Sequence, residues 1–370
     1  MAYTAIDDPS AHFQVTLYTG NGSANHAITN GGLSDLQPDI VWIKNRSATD
    51  SHCFFDSTRG ATEVLSPDVN TAETADADTL DSFASDGFQV DADVKVNTNT
   101  ENYVAYQWKV NGGTTSSNTA GDVTTTIQNN ATAGISMFRY TGPNTGDDSA
   151  NNSGAFWSLG HGLGVKPEMV ILKGLDGAHG WYVWHKDYDG TSVSNKYLLL
   201  DYIADNPGVV AATDNKLWGN TEWNTTLIEI GGWDVVNRNA QTYMVYCFAS
   251  IQGYSKISTY VGNGSTDGPF VYTGFQPAWI MTKSDNVSTD DSWIIYDNQM
   301  NPTNDGAATN QFAEGAYADN ANDYDFDILS NGFKIRATTQ NLNGDGKTYY
   351  FIAFAHQPFV TSEGIPCLSR

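Results

Sequence analysis

At 370 residues the chain has room for two or three ordinary domains, each large enough to bury its own core. Its 42 acidic residues against 18 basic ones give a net charge of −24, which excludes phosphate-tracking and anionic-membrane surfaces, since both select for lysine and arginine. Only 16% of residues are charged while 12% are aromatic, the composition of a folded protein rather than a disordered one.

Residues 1–12 are a short polar lead with Pro9, read as an extended arm. They carry no basic region followed by an apolar run, and no window of the chain approaches the roughly 18 apolar residues of a membrane helix, so neither Sec export nor membrane insertion is expected. Strand signals begin at FQVTLYTGNGS (Phe13 to Ser23), which alternates and then reaches an Asn-Gly turn. The same pattern returns at Met137 (MFRYTGPNTG) and Ile257 (ISTYVGNGSTDG). Tyr18, Tyr140 and Tyr260 fall in register, 122 and 120 residues apart, a period that suits an independent small β domain better than a solenoid unit.

Other elements recur in the same order. A proline opens a strand that ends in lysine at QPDIVWIKN, KPEMVILKG and QPAWIMTKS, placing Pro38, Pro167 and Pro277 where proline costs least and Lys44, Lys173 and Lys283 at matching positions. These lysines are candidate binding groups, although anchoring of a turn or strand end is the favoured reading. An aromatic run precedes an acidic turn at CFFDSTRG, WYVWHKDYDG and WIIYDNQMN. Gly87, Gly232 and Gly332 each precede an aromatic residue in SDGFQV, GGWDVV and SNGFKI, which suggests a positive-φ turn feeding a strand. Finally YVAYQW (Tyr103 to Trp108) recurs as YMVYCF and YYFIAF. Val104, Tyr106 and Trp108 form one apolar face, and Tyr103, Ala105 and Gln107 the other, so the strand should be central and covered on both sides.

Between the first two copies, residues 111–134 are rich in Gly, Ser, Thr and Asn and read as an extended linker. The second and third copies are joined more tightly. No segment shows helical apolar spacing with caps. The expected fold is all-β, with three tandem homologous β-sandwich-like domains: an arm (1–12), repeat 1 (13–112), a linker (113–135), repeat 2 (136–255), repeat 3 (256–358) and a docked tail (359–370). Cys53, Cys247 and Cys367 have unrelated spacings and suggest no disulfide framework. The N-x-S/T triplets at Asn21, Asn45 and Asn263 read as turn chemistry.

Motifs for chemistry are few. Paired carboxylates such as Asp147 with Asp148 and Asp290 with Asp291 are expected by chance in so acidic a chain, so they assign no glycosidase. The seven histidines show no ligand spacing. GHGLGVKP lacks a P-loop ending, and Pro167 removes an amide, so it reads as a turn. Asp319, Asp323, Asp325 and Asp327 share one stretch but lack an EF-hand glycine and terminal glutamate, and the alternation about Phe326 favours an acidic strand face over calcium. No catalytic residue, metal or cofactor is assigned. Six of the ten tryptophans lie in repeat 2. Trp181, Trp184 and Trp233 match aromatic residues in other copies (Trp293; Phe55 and Tyr296; Phe88 and Phe333) and read as core. Trp157, Trp218 and Trp223 have no counterpart and are the candidate glycan- or partner-binding residues, weighed against local loop packing.

The ordered set YTGNGS, QPDIVWIKNRS, FDSTRGA, SFASDGF, YVAYQWK, GHGLGVKPEMVILK, WYVWHKDYDGTSVSNKYLLLD and YVGNGSTDGPFVYTGFQPAWIM resembles virion-associated or tail-fibre-like proteins of tailed, often marine, bacteriophages, over most of residues 13–358. The resemblance implies a non-enzymatic virion structural protein, a tail-fibre or host-adhesion component assembled in the host cytoplasm, and carries no catalytic residues with it. Head decoration is the alternative within that class, and a polysaccharide-binding or polysaccharide-cleaving module is the alternative outside it. By analogy, the expected partners are other virion proteins, copies of itself in a homo-oligomer such as a trimer, and a host-surface glycan. Nucleic acid is not expected.

Overall fold

The computed structural model describes residues 3–143, 156–188, 196–201, 210–211, 217–219, 221–285, 292–306, 308–319 and 324–367. The protein is all-β, and three large antiparallel sheets are built on one plan. In repeat 1, Phe13–Thr19, Asn102–Trp108, Ile40–Asn45, Cys53–Asp56 and Gly60–Leu65 lie side by side in that order. The same order runs Ile135–Thr141, Thr242–Phe248, Met169–Gly174, Trp181–His185, Lys196–Leu199 in repeat 2. In repeat 3 it runs Ser255–Val261, Thr348–Pro358, Phe275–Ser284, Ile294–Asp297, Gln311–Phe312. Registers agree as well: Ile40 faces Trp108, Met169 faces Phe248 and Trp279 faces Phe354. A smaller sheet covers the outer face of each large one and makes it a sandwich, for example His26–Ile28, Gly87–Val90 and Leu80–Ala84 in repeat 1.

The YVAYQW strand is second in its sheet and buried on both sides, because its two faces belong to different cores. Tyr103 and Ala105 pack inward against Phe88, Val90 and Phe55 of the same repeat. Val104, Tyr106 and Trp108 face instead a core common to all three repeats. In that common core Trp108 meets Trp279 edge to face, at 5.5 Å between centroids, and Phe354 at 5.7 Å, while Phe54 meets Trp181 at 5.5 Å and Tyr246 at 5.2 Å. Where the three sheets converge, a cavity of about 30 Å³ remains, lined by apolar or aromatic residues of every repeat, including Trp42, Phe248 and Trp279.

A closed ring of hydrogen bonds follows the same pseudo-three-fold arrangement. Trp293 Nε1 donates to Leu199 O of repeat 2 at 2.8 Å, and Trp181 Nε1 to Ser66 O of repeat 1 at 3.1 Å. His52 holds the equivalent position in repeat 1 and reaches Phe312 O of repeat 3 through Nε2 at 3.0 Å. Its tautomer is fixed because Trp42 Nε1 donates to His52 Nδ1 at 2.8 Å, leaving the proton on Nε2. Burial, reinforced by the nearby Lys44 charge, pulls the His52 pKa down to about 3, so the ring stays neutral and keeps that donor.

The tyrosines in register perform one job three times. Tyr18 stacks on Tyr103, Tyr140 on Tyr243 and Tyr260 on Tyr349, with centroids 5.1, 5.1 and 4.8 Å apart. Their hydroxyls tie down the one-turn helices Val94–Asn97, Asp234–Asn237 and Gln340–Asn343: Tyr18 donates to Val96 O at 2.8 Å, Tyr260 to Leu342 O at 2.9 Å, and Tyr140 to Val236 O. This satisfies carbonyls that so short a helix leaves unpaired.

Several sequence expectations change. Within the expected linker, Ser116–Asn118 and Thr125–Asn130 are strands that extend the sheet of repeat 2 beyond Ile135–Thr141. Its Gly/Ser/Thr/Asn composition hid the strand, in which Thr125 and Ile127 are buried with Thr126 exposed between them. Repeat 1 is also not flexibly attached, since it shares the common core. The arm is docked rather than extended: Ile6 is in that core, Tyr3 Oη donates to Gly274 O of repeat 3 at 2.7 Å, and Asp7 accepts the Ser362 amide of the tail at 2.6 Å. Gly87 has φ +104°, whereas Gly332 lacks a positive φ and is needed for close approach, because a Cβ there would lie 2.1 Å from Val271 O. Trp233 is the N-cap residue of Asp234–Asn237, a position held by Asp93 in repeat 1, so it is no counterpart of Phe88 or Phe333.

Because the repeats share one core, urea unfolding followed by tryptophan fluorescence and by far-UV circular dichroism should superimpose as a single transition. Three resolved steps would instead mark independently stable domains.

Candidate functional site

Two of the candidate tryptophans meet, and they meet in the interior. Trp218 and Trp223 are fully or almost fully buried, with their rings 5.8 Å apart and Trp223 4.5 Å from the core residue Trp184. Trp218 Nε1 donates to Lys196 O at 3.1 Å. Neither offers a face on which a sugar could stack, and local packing, the competing reading, describes both. Trp157 opens the strand Trp157–Gly160, opposite Ile230, and is half-buried against the core. Trp223→Ala should therefore destabilise the fold by about 3–5 kcal/mol, the usual loss for a buried tryptophan, as measured by denaturant titration. A fully stable variant would show that this cluster is not core.

The recurrent lysines are buried anchors. Lys44 Nζ donates to Asn45 O at 2.6 Å and Ala48 O at 3.3 Å, and Lys173 Nζ to His179 O and, across to repeat 1, Asn70 O at 3.2 Å. Burial lowers both pKa values to about 8. Lys283 is also fully buried, beside the Glu314 carboxyl. Of the acidic stretch, Asp319 pairs with Arg46 at 2.7 Å and Asp327 with Arg336 at 2.6 Å, while the Asp325 carbonyl accepts the Arg336 amide. Asp323, Asp147, Asp148, Asp290 and Asp291 lie outside the described residues. Among the described residues no group of three His, Cys, Asp or Glu side chains is placed to hold a metal ion.

A second ring of contacts joins the repeats at matching positions held by Asp56, His185 and Asp297. Tyr246 Oη of repeat 2 donates to Asp56 at 2.7 Å, Tyr106 Oη of repeat 1 to Asp297 at 3.3 Å, and the Tyr350 ring of repeat 3 lies 5.0 Å from His185. Arg59 neutralises Asp56 three residues on, and at the corresponding place after Asp297 stands Met300. Burial raises the Asp297 pKa to about 6, against the pull of the Met300 and Gln299 amides. All three groups are shut off from solvent, so they suit assembly of the fold rather than proton transfer to a substrate.

The sign of the Asp297 effect follows from linkage. A carboxyl whose folded pKa is about 6 and whose unfolded value is 3.8 binds more protons when folded, so its contribution to stability is greatest below about pH 4 and is lost as pH rises towards 6. Asn keeps an acceptor for both amides and carries no charge. Asp297→Asn should therefore be more stable than the parent at pH 7–8 by about 1–3 kcal/mol, a gap that closes near pH 4. A pH-independent difference between the two proteins would refute this.

An open concavity of about 670 Å³ lies between repeats 1 and 3. One wall is the edge strand Phe13–Thr19, and the other carries Asn298 and Gln299 from the turn after Ile294–Asp297. Asp7, Asp8, His356 and Gln357 bring polar groups to it, and Leu33, 94% exposed, stands on its rim. Its residues come from segments remote in sequence, and no local pattern links them.

The fold and its sites thus describe a three-unit β body with a sheet-edge groove, in which the strongly perturbed histidines and the Asp297 carboxyl are interior supports. The chain belongs to the family described as a domain of unknown function, DUF7483, whose model matches residues 8–358. That match spans all three units. No curated protein and no solved structure matches the chain.

Proposed function

We propose that the protein is a non-enzymatic structural component of a bacteriophage virion, in the tail-fibre or host-attachment apparatus. The ordered motifs through residues 13–358 support this reading by resemblance. The observation that carries it is the fusion of three similar sheets on one aromatic core, with arm and tail tied together at Asp7 and Ser362. One chain thereby makes a closed, pseudo-three-fold body of the kind a fibre otherwise assembles from three chains, and such a body suits a load-bearing or host-contacting part. Its partners are other virion proteins, further copies of the chain and a host-surface glycan. Its net charge of −24 favours solubility and disfavours adventitious adhesion to nucleic acid.

Mass spectrometry of purified particles should find the chain at stoichiometric level, and antibody–gold labelling should place it on the tail. Label on the head would move it to decoration of the capsid. A chain abundant in the lysate and missing from particles would overturn the reading.

A further inference from the structure

At one edge the large sheet of repeat 2 differs from the other two, since Phe13–Thr19 in repeat 1 and Ser255–Val261 in repeat 3 each end their sheets among the described residues. In repeat 2 the strand Ile135–Thr141 is covered by Thr125–Asn130, paired antiparallel with Gln128 opposite Met137 and Asn129 opposite Ser136. In repeat 1 the matching strand Phe13–Thr19 ends its sheet among the described residues, with Asn102–Trp108 as its one strand partner there. The correspondence is fixed by register: Met137 faces Tyr246 as Val15 faces Tyr106. The 670 Å³ groove runs along this edge, lined by every residue from Phe13 to Leu17, the five that match the paired positions Ile135 to Arg139.

The far wall agrees. In repeat 2 Gln128 Nε2 crosses to repeat 1 and donates to Ser57 Oγ and Thr58 Oγ1, both at 2.9 Å. Ser57 and Thr58 follow Asp56, which faces Ile40, and Asn298 and Gln299 follow Asp297, which faces Trp279 in the same register. The groove is therefore the pseudo-symmetric copy of a place that this chain fills elsewhere with its own strand. Asn298 Oδ1 is buried there with no hydrogen-bond partner. A buried acceptor left unpaired is costly, and a turn of the Asn298 side chain towards the groove would let a donor arriving opposite Val15 relieve it.

We propose that this groove receives an extended peptide segment of a partner protein, which adds as an antiparallel strand to Phe13–Thr19. The segment is uncharged and rich in hydroxyl, amide and β-branched side chains, like Thr125–Asn130, and presents a glutamine opposite Val15. Main-chain bonds to the open edge supply affinity, and the amide meeting Asn298 supplies selectivity. A second copy of the chain is a poor occupant, because each copy carries −24 charges and a flat edge-to-edge pairing would leave Asn298, on the opposite wall, unreached. The proposal does not rest on the virion reading.

The probe is a capped synthetic peptide of residues 124–131, TTTIQNNA, titrated into the full chain with hydrogen exchange as readout. Saturable binding is expected with a Kd on the order of 0.1–1 mM, since a short flexible strand loses much entropy on docking, together with new protection of the amides in Phe13–Thr19. Peptide N-methylation at alternate residues should abolish binding in one parity and spare it in the other. Replacing the peptide glutamine by leucine, or Asn298→Ala in the protein, should each weaken binding by about three- to ten-fold, and the two together by no more than either alone. Asn298→Ala should not lower the melting temperature of the free chain, because it removes an unpaired acceptor while the Asn298 backbone amide keeps its bond to Ala278 O. Absence of saturable binding at about 2 mM peptide would overturn the proposal. So would binding without protection at Phe13–Thr19, or equal tolerance of both N-methyl parities. A dimer that protects the same amides without peptide would assign the edge to a second copy and overturn it too.

Discussion

Everything in this protein leans on the aromatic contact between the inner faces of three sheets. Trp42, Trp108, Tyr246, Phe248, Trp279 and Phe354 come from all three repeats and meet around one small apolar cavity. Each repeat is a sandwich in its own right, yet a sheet whose inner face carries tryptophan and phenylalanine is not stable in water alone. The shared burial of these rings is the force that turns three tandem units into one body, since large aromatic side chains dominate the energetics wherever they are desolvated together. The central strands are doubly committed: Tyr103 and Ala105 serve their own repeat, while Val104, Tyr106 and Trp108 serve the assembly.

Apolar contact is non-directional, and the polar contacts supply the order. The bonds from Trp293, Trp181 and His52 run one way around the molecule, each repeat donating to a backbone carbonyl of its neighbour. The inner ring at Asp56, His185 and Asp297 runs the same way and shows where the copies have diverged. Asp56 has Arg59, Asp297 has backbone amides, a tyrosine hydroxyl and the more distant Arg46 charge, and His185 has aromatic neighbours. A dry interface favours uncharged or paired groups, as at Asp56 and His185, whereas Asp297 becomes charged above about pH 6. The same divergence appears at the sheet edges, where repeat 2 is covered by its own Thr125–Asn130 and repeat 1 is open.

Much of the fold was legible because its signals are local. The alternation in YVAYQW, the spacing of Tyr18, Tyr140 and Tyr260, and prolines ahead of strands each report a strand without knowledge of its neighbours, and the tyrosines do stack in matching registers. Pro277 stands at an irregularity in its strand, where a missing amide is tolerated. Misreadings arose where composition stood in for pattern. Residues 125–130 look like linker because Thr and Asn are polar, but strands pair through the backbone, and this one lies between Ser116–Asn118 and Ile135–Thr141. Trp233 was aligned by its preceding glycines, a cue that turns supply everywhere. Trp218 and Trp223 are a different case: local packing stood against glycan binding for them, and burial, decided by what packs over a loop rather than by the loop's own sequence, selects packing.

By itself, then, the sequence determined that this is an all-β protein of three like units with an acidic surface, since period-2 patterning, recurrence and charge are properties of the chain alone. Tertiary structure decided the rest: that the apolar faces of the three central strands face one another and not solvent, that arm and tail close the body, and that one sheet edge is filled while its counterpart opens on a groove. Those features depend on which residues meet across 100 or more positions of chain, as Trp108 meets Trp279 and Phe354, and no local pattern encodes such a meeting.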